Sequence, residues 1–282
     1  MNRTLTIAFC FLLSCQTAQK EDYQNQIQII TAGGTITEIV YALGFGEQII
    51  ATDITSTYPE SMQELPSIGY RNQIKAEGVL SLGADLILAE EGYLTDDVVS
   101  QLKGSGIDIH FFKKPTHTSE TQSLINDLAV LFDAEQKGKE LINSLEADLS
   151  KLQQLKSMNS MDSPKVAFVM ARGEEMVFIA GEDTFAATLI EMAGGISAGK
   201  GFKDFIPLTP EALVSMNPDY LLFFDSGIKS MGGIDGLNKI RGIDQTIAYQ
   251  NDQILSFDGL YLSGFGPRVG QAAFELAKAL GY

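Results

Sequence analysis

Few side chains in this sequence are equipped for metal or covalent chemistry. There are two histidines, His110 and His117, and two cysteines, Cys10 and Cys15. Both cysteines lie at the N-terminal end, so the body of the chain has no means of forming a disulfide or a Cys-based metal site. Two histidines leave few candidates for a nucleophile–base triad. Gly33-Gly34-Thr35 follows a short β-rich run and opens a helical stretch, where backbone amides can meet a carboxylate. No Gly-Lys-Ser/Thr ending follows it, so it is not a phosphate loop, and the glycines of 264–270 follow no clear strand, which argues against a dinucleotide site. His110 alternates with Ile109 in a predicted strand and reads as a satisfied, half-buried histidine. His117, in KKPTHTS, sits in a loop and is the freer of the two to act as a ligand, with a helix-start contact as the ordinary alternative.

The elements that carry these residues alternate in type. Strands are expected at 26–31, 48–52, 85–89, 107–112, 165–170, 177–180, 219–224 and 253–257. Helices are expected at 35–43, 76–82, 96–103, 119–132, 184–192, 210–216 and 269–280. This rhythm argues for parallel sheets with helices on their faces. Between the two runs lies the longest periodic segment, 134–157. Leu141, Ile142, Leu145, Leu149, Leu152 and Leu155 recur at three- and four-residue steps, which makes one apolar stripe. Asp133 is its expected N-cap, with Gln136 completing a capping box. Gly138 costs about 1 kcal/mol relative to alanine and marks the weak end. The expected fold class is therefore α/β: two lobes, each with a mainly parallel sheet, joined by one long helix. The boundaries are 26–132 for the first lobe, 133–157 for the helix and 158–282 for the second lobe.

The N-terminal segment is of another kind. Arg3 precedes a brief apolar run, Leu5–Leu13, too short for a permanent membrane span. It ends in Leu12-Leu13-Ser14-Cys15, which resembles a bacterial lipoprotein signal: residues 1–14 are removed, Cys15 is lipidated and 15–25 form a tether. The expected location is outside the cytoplasm, on the periplasmic or extracytoplasmic face, held to the membrane by lipid alone. The net charge is −16 over 282 residues, and removing 1–14 takes away only Arg3 and brings it to −17. Such a chain repels nucleic acid and suits a partner with a basic docking face.

An internal echo connects the two halves. Residues 76–89 read AEGVLSLGADLILA and 210–223 read PEALVSMNPDYLLF. Glu77 aligns with Glu211, Ser81 with Ser215, Asp85 with Asp219 and Leu88 with Leu222, in a shared order of short helix, turn and strand. Thr209-Pro210-Glu211 also reads as N-cap, N1 and N2 of a helix, where a glutamate complements the dipole.

The stretch from Gly33 to Ala89, containing TEIVYALG and STYP…GY, resembles the first lobe of haem-binding substrate-binding proteins of bacterial ABC importers. DTFAATLIEMAGG and GFGPRVGQAAFELA resemble the second. The wider group also includes cobalamin and ferric-siderophore binders. The resemblance spans about residues 26–282 and implies a non-enzymatic carrier. Such a carrier captures haem between its lobes and hands it to a permease and its ATPase. It implies that Tyr70, the tyrosine after Gly69, is the axial ligand of haem iron; ferric iron is a hard acid and a phenolate a hard oxygen donor. Arg71 is placed to assist it, and Tyr58 belongs to the same STYP…GY signature. Where some relatives carry a histidine, this chain has Ala171-Arg172-Gly173. Arg172 cannot ligate iron but can pair with a haem propionate or with the Tyr70 oxygen. Gly33 and Gly34 are expected at the ligand through their amides, and Glu77 and Glu211 as the two points that dock on permease arginines. The alternatives are a cobalamin or ferric-siderophore carrier of the same fold and, from another class, an α/β enzyme.

Overall fold

The computed structural model describes residues 27–159 and 162–282. Signal segment 1–14, Cys15 and tether 15–25 lie outside the described residues, as do Ser160 and Met161 of the expected linker at 158–163. Among the described residues, no helix is long and apolar enough to cross a membrane. They form two compact units.

The first unit holds the described residues through Lys113, with Leu131–Ala134 returning to it. Its sheet is wholly parallel, in the order β2-β1-β3-β4. The strands are β1 (Ile29–Ala32), β2 (Ile49–Thr52), β3 (Leu86–Glu90) and β4 (Asp108–Phe112). A parallel sheet covered on both faces needs continuous apolar runs rather than alternation, and every residue of β1 and β3 is buried. Helices α1 (Gly34–Val40), α2 (Ala76–Leu80) and α3 (Asp96–Gly104) connect them. Ile30, Ala51, Ile87, Val98 and Leu102 lie at the centre of the core. Phe132, from the returning segment, stacks on Phe45 with ring centroids 4.4 Å apart.

The second unit holds Lys114–Val130 and Glu135–Tyr282. Helix α4 spans Thr118–Leu131 and α5 Glu135–Met158, 24 residues long. The apolar stripe of α5 is real: Leu145 and Leu152 are buried, and Leu149 and Leu155 pack against the same core. The helix is flanked closely. A Cβ on Gly138 would come within 2.6 Å of the Ala129 Cβ on α4. Its propensity cost therefore allows a close helix crossing. Gly270, on α11 (Val269–Ala279), makes the matching approach to the Leu145 carbonyl and Asp148. The start of α5 departs from expectation. Asp133 stands at φ +53, in the left-handed region, and the helix begins at Glu135. An N-cap takes extended backbone, so Asp133 stands in the turn before the helix rather than at its N-cap position.

The second sheet runs β10-β9-β5-β6-β8, with β7 also on β5. Its strands are β5 (Lys165–Ala171), β6 (Val177–Ala180), β7 (Ile196–Ser197), β8 (Phe205–Pro207), β9 (Tyr220–Phe224) and β10 (Ile254–Phe257). Pairs β10–β9, β9–β5 and β5–β7 are parallel, while β5–β6 and β6–β8 are antiparallel. The few residues between β5 and β6 cannot make the crossover that parallel strands require. Around the sheet lie α6 (Phe185–Met192), α7 (Pro210–Met216), α8 (Asp225–Ser230), α9 (Ile247–Gln250) and α10 (Gly259–Ser263).

The echo has a structural basis. In the first unit, α2 leads through Gly83, at φ +71, to Asp85 and β3; in the second, α7 leads through Asn217, at φ +37, to Asp219 and β9. Asp85 Oδ2 accepts from the Gln28 amide at 2.8 Å, and the Asp85 amide donates to the Gln28 carbonyl. Asp219 makes the same pair with Lys165, its Oδ2 accepting at 2.7 Å. Each aspartate thus ties its strand to the start of the neighbouring one, Gln28 just before β1 and Lys165 at the first residue of β5.

Candidate functional site

In open parallel sheets, ligands bind beyond the carboxyl ends of the strands. In the first unit, Gly33 follows β1, Asp53 follows β2 and Tyr93 follows β3 within a short turn. The three converge on the Asp53 side chain, which is buried. Asp53 Oδ1 accepts from the Gly33 amide at 3.0 Å and from Ser56 Oγ at 2.7 Å. Its Oδ2 accepts from the Thr55 amide at 2.9 Å, from Thr55 Oγ1 at 2.6 Å and from the Tyr93 hydroxyl. A chain of hydroxyls continues inward, Ser56 to Thr37 and Thr37 to Thr31, each step 2.7 Å. Burial, then the neighbouring Asp53 charge and hydrogen bond, push the Tyr93 phenol far above its ordinary range.

This hub corrects the expectation for Gly33 and Gly34. Their amides were expected to face a ligand carboxylate. The Gly33 amide instead donates to Asp53, and the Gly34 amide to Thr55 Oγ1 at 3.2 Å. Both glycines are buried. Gly33 stands at φ +126, and a Cβ there would lie 2.5 Å from Glu90 Cγ. It is a glycine because that φ disfavours an L side chain and the Glu90 side chain fills the space a Cβ would take.

Tyr70 is half-buried at the edge of the same core. Its ring meets that of Tyr93 edge-on, with centroids 6.1 Å apart. Arg71 stands at φ +44, a conformation that costs a non-glycine residue of order 1 kcal/mol. From there its Nε donates to the Tyr70 hydroxyl oxygen at 3.1 Å. The guanidinium carbon lies 5.5 Å from the centre of the Tyr70 ring and 5.2 Å from that of Tyr93. The segment leading to Tyr70 is fastened to the one containing Asp53. Thr52 N donates to Pro66 O at 3.0 Å, Ile68 N to Thr52 O at 2.8 Å and Ile54 N to Gly69 O at 3.2 Å. Tyr58, 43% exposed, ends that stretch. A phenol oxygen with a cation donating to it suits a hard, positively charged metal centre, because the guanidinium offsets the charge of a phenolate.

The other expected site residues are distributed between the units. Glu77 and Glu211 are each the second residue of their helix, α2 and α7, and both are exposed. Thr209 caps α7 as expected, its Oγ1 accepting from the Ala212 amide at 3.2 Å. Lys75, before α2, provides no such cap, so helix-end chemistry explains Glu211 better than Glu77. In the second unit, Arg172 opens the β5–β6 hairpin, where its amide donates to Met176 O at 2.8 Å. Its side chain is exposed and makes no ion pair among the described residues. His117 is exposed, with Nδ1 3.0 Å from Thr116 Oγ1 and 3.9 Å from Glu120 Oε2. It lines a cavity of about 470 Å³ with Glu182, Asp183, Glu191 and Lys200. His117 thus makes the helix-start contact weighed as its ordinary role. His110 pairs with Asp108 at 3.1 Å and is half-buried, as expected. Sequence reasoning missed Asp53 and Tyr93. The one local signal was the Asp-x-Thr-Ser run at the end of β2, which favours side-chain-to-backbone hydrogen bonds.

The family described as periplasmic binding protein matches residues 29–259. Among solved structures, the periplasmic heme-binding protein RhuT from Roseiflexus sp. RS-1, in apo form, superposes with a TM-score of 0.86. It is 36% identical, over 90% of this chain and 97% of that one. The uncharacterized ABC transporter substrate-binding lipoprotein YvrC of Bacillus subtilis (strain 168) is 27% identical over 255 residues, 90% of this chain and 79% of that protein. The vitamin B12-binding protein of Yersinia pestis (strain Pestoides F) is 27% identical over 168 residues, 60% of this chain and 58% of its own length.

Proposed function

The chain belongs to the periplasmic binding protein family, and from that premise we propose that it is the haem-binding component of an ABC importer. It takes up ferric haem outside the cytoplasm and passes it to a membrane permease driven by an ATPase. The observation that carries this reading is the Tyr70 oxygen held by the Arg71 guanidinium at 3.1 Å. The porphyrin supplies four nitrogens, so the protein needs to offer only an axial atom, and a phenolate is the hard donor that ferric iron favours. The heme-binding name and 36% identity of RhuT support the ligand assignment. The likeness to YvrC supports the transporter role and anchoring through Cys15.

In this reading Tyr70 is the axial ligand and Arg71 neutralises its charge. Exposed Tyr58 adds contact surface, and Arg172, with no ion-pair partner among the described residues, pairs with a propionate. Glu77 and Glu211 are the docking points for the permease. A carrier of this kind catalyses nothing; it binds stoichiometrically. The B12-binding relative favours a second reading, a cobalamin carrier.

The two readings separate when ferric haem and cyanocobalamin are each added to the purified soluble protein and visible spectra are recorded, with Tyr70→Phe alongside. Haem binding with a phenolate–iron band that vanishes in the variant is the expected result. An unchanged band would remove Tyr70 from the site. Capture of cobalamin without haem would establish the second reading.

A further inference from the structure

One exposed apolar residue is hydrogen-bonded through its backbone to the segment that leads into the Tyr70–Arg71 pair. Ile54 is 59% exposed, although single exposed isoleucines are ordinary on any surface. Three observations set this one apart. It follows Asp53 directly, so the five hydrogen bonds received by that carboxylate hold its backbone on the strand side. Its amide donates to the Gly69 carbonyl at 3.2 Å, which places residue 54 next to the residue that precedes Tyr70. And Gly69, at φ +98, has open space where a Cβ would project. An exposed isoleucine on one segment is thus fastened to the bare glycine backbone that precedes the half-buried phenol on the next.

We propose that Ile54 is a ligand-contact residue that packs against the face of the tetrapyrrole beside the Tyr70–iron bond. The inference rests on the haem reading above and extends it. A flat macrocycle lying over Gly69 needs no side chain beneath it there, and an aliphatic group alongside removes apolar area from water as the ligand binds. Because Ile54 is exposed in the free protein, trimming it leaves the fold intact.

The test is a graded series, Ile54→Val, Ile54→Ala and Ile54→Asp, titrated with ferric haem, with thermal melts of the free proteins in parallel. Affinity is expected to fall in that order, by about tenfold at alanine, roughly 1.4 kcal/mol. The melts and the phenolate–iron band should match those of the unmutated protein. Equal affinity across the series would overturn the inference and leave the haem reading standing. So would loss of the band in Ile54→Ala, because the residue would then act through Tyr70. Failure of the unmutated protein to bind haem would overturn both.

Discussion

Asp53→Asn is the smallest change that tests the hub. The two side chains have the same shape, so packing is preserved and only the polarity of one atom changes. The Gly33 amide points at Oδ1 and the Thr55 amide at Oδ2. Hydroxyls of Ser56, Thr55 and Tyr93 can rotate to accept from an NH₂ group, but a backbone N–H only donates. Whichever way the new amide is placed, one backbone donor faces another donor. The remaining bonds also become neutral where they had a carboxylate. A buried donor without an acceptor costs about 1–3 kcal/mol, and weaker bonds to the hub add to that, so the expected loss is about 3 kcal/mol. For a chain of this size that lowers the melting temperature by roughly 6–12 °C. Calorimetry with urea denaturation of both proteins measures it. A loss under about 1 kcal/mol would refute the argument that the carboxylate holds these segments together.

Two further outcomes follow from the same geometry. The Tyr93 phenol titrates above its ordinary 10.0, so the native chain keeps a proton that the unfolded chain releases. Its contribution to stability is complete below about pH 10 and is lost as pH rises further. Tyr93→Phe should therefore flatten the alkaline decline of the denaturation midpoint; identical slopes would count against the assignment. For the docking role, Glu77→Ala with Glu211→Ala should cut permease-coupled haem uptake in proteoliposomes by about tenfold or more, with haem affinity unchanged. Normal uptake by the double variant would leave the glutamates as helix-end residues only.

Much of the fold could be read in the chain because its signals are local. The runs IITA and LILAE had to be covered on both faces, and they form β1 and β3. The leucine spacing of 134–157 marked α5 to within a residue or two. The Glu-x₇-Asp echo marked two helix–turn–strand units whose aspartates make matching backbone pairs. What could not be read depends on partners distant in sequence. Asp53 receives bonds from Gly33 and from Tyr93, 40 residues away, and no spacing rule links the three. The same blindness made Gly33 and Gly34 look like ligand donors. Asp133 had the composition of a cap, but its backbone angle was set by the turn between α4 and α5.

The interleaving of the two units has a practical consequence for anyone wishing to take the molecule apart. Lys113 ends the first stretch of one unit, but Leu131–Ala134 belongs to it as well. Expression of 27–113 alone would omit Phe132 and uncover the ring of Phe45 on which it stacks. No single cut yields two intact halves. An independently folding fragment would have to splice the short returning segment back onto the first stretch, replacing the α4 excursion with a brief bridge.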